Sequence, residues 1–180
     1  WWRRCSFCPE AAEGNPYRPL PPERVAAELR DLTGRFRPAL IHLLDNALSP
    51  AHLRALAAAP PGAPWYGFTR ITPQLADPDF CARLKDAGCV MLKLGLESAD
   101  AEVLDALHKG IDPDMAAAVL KNLKKTGIAA YVYLLFGTPA ETPAAARRTR
   151  EFIAAHAGEI GFLNVAIFNL PAHGPDTEAL

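Results

Sequence analysis

The feature that most constrains this chain is a regular alternation of strand-length apolar runs with helical stretches. "ALIHLLD", "WYGFTRI", "VMLKLGL", "IAAYVYLLF" and "IGFLNVAIF" are apolar runs too short for a packed helix. "PERVAAELRDLT" precedes the first. "SPAHLRALAAA", "DPDFCARLKDAG", "DAEVLDALHKG", "DPDMAAAVLKNLKKTG" and "TPAAARRTREFIAAH" separate the rest. Several helices open on a cap residue followed by proline, and several close on glycine. The strands are apolar through most of their length instead of alternating, so both faces are expected to be covered. No hairpin signal interrupts the series. An α/β fold with a parallel sheet and crossover helices follows. In such sheets the loops leaving the C-terminal strand edges converge, and chemistry gathers there. Those ends read "LLDNALSP", "FTRITPQ", "LGLESAD", "LLFGTPAET" and "IFNLPAHG".

The 180 residues suffice for one domain, read as spanning 1–180. Half of them are hydrophobic and the formal net charge is −1, so nucleic-acid binding is not indicated. No apolar run approaches the roughly 20 residues needed to span a bilayer. The start "WWRR" lacks a signal-peptide pattern, and a cytoplasmic protein is expected. Four cysteines are too few for a disulfide scaffold. Cys81 and Cys89 fall in "DFCARLKDAGCVML", where small buried apolar residues are expected.

Cys5 and Cys8 stand apart from them as a CxxC pair. A zinc half-site needs a second pair, and the chain has none. A thioredoxin-type pair opens a helix, whereas "PEAAEGNPYRPLPP" reads as a loop. An iron–sulfur loop is the third reading. Spacing alone leaves all three open, beside the case of no cofactor.

Taken together, "CSFC", the alternating elements, "LGLES", "HKGI" and "FGTPAET" resemble the radical S-adenosylmethionine (radical SAM) superfamily over nearly the whole chain. The resemblance implies an incomplete parallel (β/α) barrel. It implies a [4Fe–4S] cluster held by three cysteines, with the fourth iron open to the amino and carboxylate groups of SAM. Cys5 and Cys8 match the last two ligands. The common CxxxCxxC spacing would put the first on Trp1, which cannot ligate iron. The first ligand and first strand are therefore expected upstream of Trp1.

The same resemblance assigns further cofactor-binding positions. Phe7 would lie near the adenine. Asp45 and Asn46 stand where relatives receive the SAM amino group, although the sequence there does not match and turn chemistry is an alternative. Glu97 and Ser98 would line the ribose and methionyl side, with Ser98 or Asp100 also suited to cap the next helix. Gly137 and Glu141 would support the adenine, with Glu141 alternatively stabilising a helix dipole. Phe168 would meet the adenine edge. His108 and Lys109 read as an ordinary helix C-terminus before Gly110. His42, His52 and His156 have no ligand-like spacing.

The implied reaction is reductive cleavage of SAM to a 5′-deoxyadenosyl radical that acts on an unread substrate. Catalytic residues are unknown. Methyl transfer with cobalamin from an upstream domain is one form such chemistry takes in relatives. An electron donor such as flavodoxin or ferredoxin is an expected partner. The rival from another class is an electron-transfer iron–sulfur protein, which needs a fourth cysteine ligand.

Overall fold

The computed structural model describes Cys5 and residues 18–169. The elements are α1 (Pro22–Phe36), β1 (Ile41–Leu48), α2 (Pro50–Ala58), β2 (Trp65–Thr69), a 3-10 turn (Pro73–Ala76), α3 (Pro78–Asp86), β3 (Cys89–Glu97), α4 (Ala101–Ala106), α5 (Pro113–Thr126), β4 (Ala129–Phe136), α6 (Pro143–Ala155) and β5 (Ile160–Ile167). The five strands form one sheet in the order β1-β2-β3-β4-β5. Every neighbouring pair is parallel. This is the expected α/β architecture.

The cap-proline signals act where the sequence places them. Ser49 accepts from the His52 N–H, Asp77 from Asp79, Asp112 from Met115 and Thr142 from Ala145, each with proline in the first turn. A side-chain oxygen satisfies one orphan donor, and proline removes another at no cost. Several boundaries differ from the sequence reading, two of them early in the chain. The first helix runs through Gly34 to Phe36 and ends at Arg37 in the left-handed region, because one glycine costs a helix only about 1 kcal/mol. The first strand runs past Asp45 and Asn46 to Leu48.

Strand alternation separates two faces. The outer face carries Leu43, Trp65, Leu92, Leu94, Leu96, Ala130, Val132 and Leu134, all buried in one cluster with Leu53, Leu56, Leu84, Val119, Leu120 and Leu123. Trp65 is fully buried, and its indole N–H reaches the Ala87 carbonyl at 2.9 Å. Each such leucine is worth about 1.5–3 kcal/mol of burial. Cys81 and Cys89 belong to this cluster as expected. Burial pushes the Cys81 thiol up to about 11, with the nearby Asp77 charge adding to the shift. The Cys89 thiol is pushed up mainly by burial as well. Both are packing residues.

Candidate functional site at the C-terminal mouth of the sheet

The C-terminal strand ends bring together four residues far apart in sequence. Arg70 directly follows β2 and is buried. Its Nη1 donates to the Cys5 sulfur at 3.0 Å. Its Nη2 donates to the Lys109 carbonyl. Lys109 is also buried, and its Nζ donates to Glu97 Oε1 at 2.7 Å. Cys5, Arg70, Lys109 and Glu97 thus form a continuous chain over the ends of β2 and β3. Cys5 is 2% exposed, and its sulfur lies 3.9 Å from the His108 carbonyl.

Local backbone geometry holds this arrangement. Glu97 and His108 both have positive φ, 67° and 51°. Such conformations are uncommon for residues other than glycine, and they cluster at functional sites. Gly95 is required by close approach. A Cβ there would stand 2.5 Å from Glu97 Oε1, 2.9 Å from Lys109 Nζ and 3.2 Å from the Phe68 ring. Glu97 therefore folds inward above Gly95, with its side chain only 11% exposed. A buried ion pair is tolerated because each charge has its partner.

The other predicted positions divide. Ser98 is fully buried, but it faces α6: its hydroxyl meets Thr149 Oγ1 at 3.0 Å and accepts from the Asp100 N–H. These bonds tie the β3 loop to the helix, and the cap of α4 is Asp100, whose carboxylate accepts from the Val103 N–H. Burial raises the Asp100 carboxyl, but the Val103 and Arg148 hydrogen bonds and the Arg148 charge outweigh it and leave it below the usual range. Gly137, at φ 76°, donates its N–H to Glu141 Oε2 at 2.6 Å. Glu141 precedes the Thr142 cap, so it closes the β4 loop and does not stand in the first turn of α6. Its Oε1 and the Thr138 hydroxyl are buried without a partner among the described residues. Phe168 follows β5 at the same edge, its N–H bonded to the Phe136 carbonyl at 2.7 Å.

Asp45 and Asn46 sit inside β1, exposed, not in a loop after it. Five residue steps from Leu43 to Leu48 match two on β2, from Gly67 to Thr69. The two residues thus ride an outsized bulge, a device that re-aims side chains near sites. Phe7 and Cys8 lie outside the described residues. Lys109 and Arg70 were missed as site residues. The reading of "HKG" as a plain helix end missed that Lys109 turns back to Glu97. A signal existed: a carboxylate at an apolar strand end is rarely buried unpaired, so Glu97 calls for a nearby cation.

Comparison with known proteins decides the family. The model of the radical SAM superfamily matches residues 2–153. The chain belongs to the radical SAM superfamily. It is 28% identical over 155 residues to an uncharacterized methyltransferase of Pyrococcus horikoshii, covering 82% of this chain and 33% of that protein. The chain thus spans about a third of that relative. Among solved structures it resembles the radical SAM methyltransferase TsrM of Kitasatospora setae with tryptophan substrate and a SAM analog bound, at TM-score 0.77 and 24% identity over 96% of this chain and 35% of that one. It also resembles coproporphyrinogen III oxidase HemN of Escherichia coli, at TM-score 0.65 and 17% identity over 98% of this chain and 44% of that one. The sheet is therefore a partial barrel of the radical SAM type. The family brings with it a [4Fe–4S] cluster and SAM.

The described residues fit those groups. The guanidinium N–H 3.0 Å from the buried Cys5 sulfur is a charged donor of the kind that supports a sulfur holding iron. The unpartnered Thr138 hydroxyl and Glu141 Oε1 at the β4 end are available to a ligand at the same mouth.

Proposed function

We propose that this chain is the SAM-cleaving core of a radical enzyme, with Cys5 and Cys8 as two of three cluster thiolates. The single observation that carries the reading is the buried chain Cys5–Arg70–Lys109–Glu97 at the strand mouth. When bound, the cluster and SAM supply one-electron C–S cleavage and hydrogen-atom abstraction. The protein's own part is positioning. Arg70 holds the Cys5 sulfur against the mouth, Lys109 holds Glu97 inward, and Glu97 offers its second carboxylate oxygen to the SAM ribose or methionyl side. Gly137 gives the adenine close access to backbone, while Glu141 and Phe168 border it. Cys81 and Cys89 are packed in the outer core, away from the mouth, which supports neither as the third thiolate. The radical SAM family match over residues 2–153 tells against a plain electron-transfer protein.

Methyl transfer with cobalamin supplied by another domain is the favoured outcome. The P. horikoshii relative is named a methyltransferase, and a TsrM structure contains cobalamin and a [4Fe–4S] cluster. A flavodoxin- or ferredoxin-type donor in the cytoplasm would reduce the cluster. Among the described residues no helix is long and apolar enough to cross a membrane. The test is anaerobic reconstitution of the whole protein with iron and sulfide, followed by dithionite, SAM and measurement of 5′-deoxyadenosine. Cys5→Ala and Cys8→Ala are expected to abolish the product, and Cys81→Ala to retain it. Equal loss in all three would overturn the ligand assignment.

A further inference from the structure

The inner face of the sheet differs sharply from the outer one. Its side chains are half-buried or exposed, whereas the outer-face side chains of β2, β3 and β4 are buried. Strand register sets them in rows. His42, Tyr66, Met91 and Ala129 lie side by side. Above them Phe68, Lys93, Tyr131 and Phe162 cross four strands. Tyr133 stands in the next row beside Gly95 and Asn164. The rings touch one another: His42 stacks on Tyr66 at 4.2 Å, Tyr133 meets Phe68 at 5.4 Å and Tyr131 at 4.8 Å, and Tyr131 meets Phe162 at 5.6 Å. Lys93 is the one charge within these rows, its ammonium 5.6 Å from the Tyr133 ring centre. The Phe68 ring reaches up to Gly95, directly beneath the Glu97–Lys109 pair. The face is therefore continuous with the candidate SAM mouth.

We infer that this inner face binds the substrate, and that the substrate is a flat conjugated molecule carrying an anionic group such as a carboxylate. The inference rests on the radical SAM reading and deepens it. Flat apolar rings gain most from stacking on partly exposed aromatic side chains. A half-buried ammonium among rings is left short of compensation by a neutral ligand and gains from an anion, through a charge-assisted hydrogen bond. Glu97, at the end of the same strand, is already engaged by Lys109. A ring lying on Phe68, Tyr131 and Tyr133 with its anion on Lys93 would present its upper edge to the Glu97 mouth, where the hydrogen atom is to be taken.

The test is calorimetric binding to the whole, cluster-loaded protein with SAM present. The probes are indole-3-acetate and 2-naphthoate, their neutral amides, and cyclohexylacetate. The aromatic carboxylates are expected to bind; the amides should bind about tenfold more weakly or worse, the worth of one charge-assisted bond, and cyclohexylacetate, which keeps the anion but cannot stack, about tenfold more weakly through its lost ring contacts. Lys93→Gln is expected to erase the preference for carboxylate over amide while Lys93→Arg keeps it. Phe68→Leu should weaken acid and amide alike. The inference is overturned if cyclohexylacetate binds as well as the aromatic acids, if Lys93→Gln leaves the acid–amide ratio unchanged in a folded protein, or if no aromatic acid binds to protein that cleaves SAM. Absence of 5′-deoxyadenosine from cluster-loaded protein marks instead a failure of the radical SAM reading, and the calorimetry still reads the face.

Discussion

At the residue scale, the mouth depends on the ion pair of Lys109 and Glu97. Lys109 and Glu97 are 4% and 11% exposed in their side chains. Removing Lys109 leaves the Glu97 carboxylate without that cation, which costs about 3–5 kcal/mol. Lys109→Met is therefore expected to lower the unfolding free energy by about that amount and to weaken SAM binding. The double variant Lys109→Met with Glu97→Gln should recover most of the stability but not the SAM affinity. Denaturant melts and SAM titration separate the two effects. Gly95→Ala probes the same spot from below. Its methyl would push on Glu97, Lys109 and Phe68 together, and overpacking of this kind costs about 1–3 kcal/mol. An alanine variant as stable as the parent, with unchanged SAM affinity, would show that Glu97 does not need its observed place.

At the scale of elements, the β3–α4 loop is fastened to α6. Ser98 and the Ala99 N–H both meet Thr149, and Asp100 pairs with Arg148 at 2.5 Å. The pair's worth is modest because Arg148 is half exposed and solvent screens it. Its pH dependence is nevertheless definite. The Asp100 carboxyl is held below the usual range in the folded protein. A depressed folded value contributes stability above the unfolded carboxylate range, near pH 4, and that contribution is lost as pH falls through the folded value. Asp100→Asn keeps a competent helix cap and loses only the charge. The variant should thus be less stable than the parent at neutral pH, and the two melts should converge as the solution is made acid. A gap that stays constant down to the acid limit would mean that Asp100 contributes through the cap alone.

At the scale of the whole molecule, outer and inner faces have separate duties. Leu120 and Leu94 are almost wholly buried on the outer side, so Leu120→Ala should cost about 2–5 kcal/mol in a thermal melt while the folded fraction keeps its SAM affinity. Loss of affinity in proportion to nothing but the melt would be expected, and a selective loss in fully folded protein would contradict the division. The elements, their order and the parallel sheet were legible in the sequence, because helical period, cap-proline pairs and apolar strand runs act within a few residues of themselves. So was the edge where Glu97, Gly137 and Phe168 emerge, since right-handed crossovers send every strand the same way. The pairings were not legible. Arg70 reaches Cys5 across 65 residues, and Ser98 reaches Thr149 across 51. Lys109, read as a helix end, turns back through a left-handed His108. Asp45 and Asn46 were placed in a loop, because a bulge depends on the neighbouring strand and leaves no local trace. Sequence by itself determined which chain segments form strands and helices and at which edge they open. Only the tertiary structure decided which charges meet there, because a buried charge takes whatever partner the packed strand ends bring within reach.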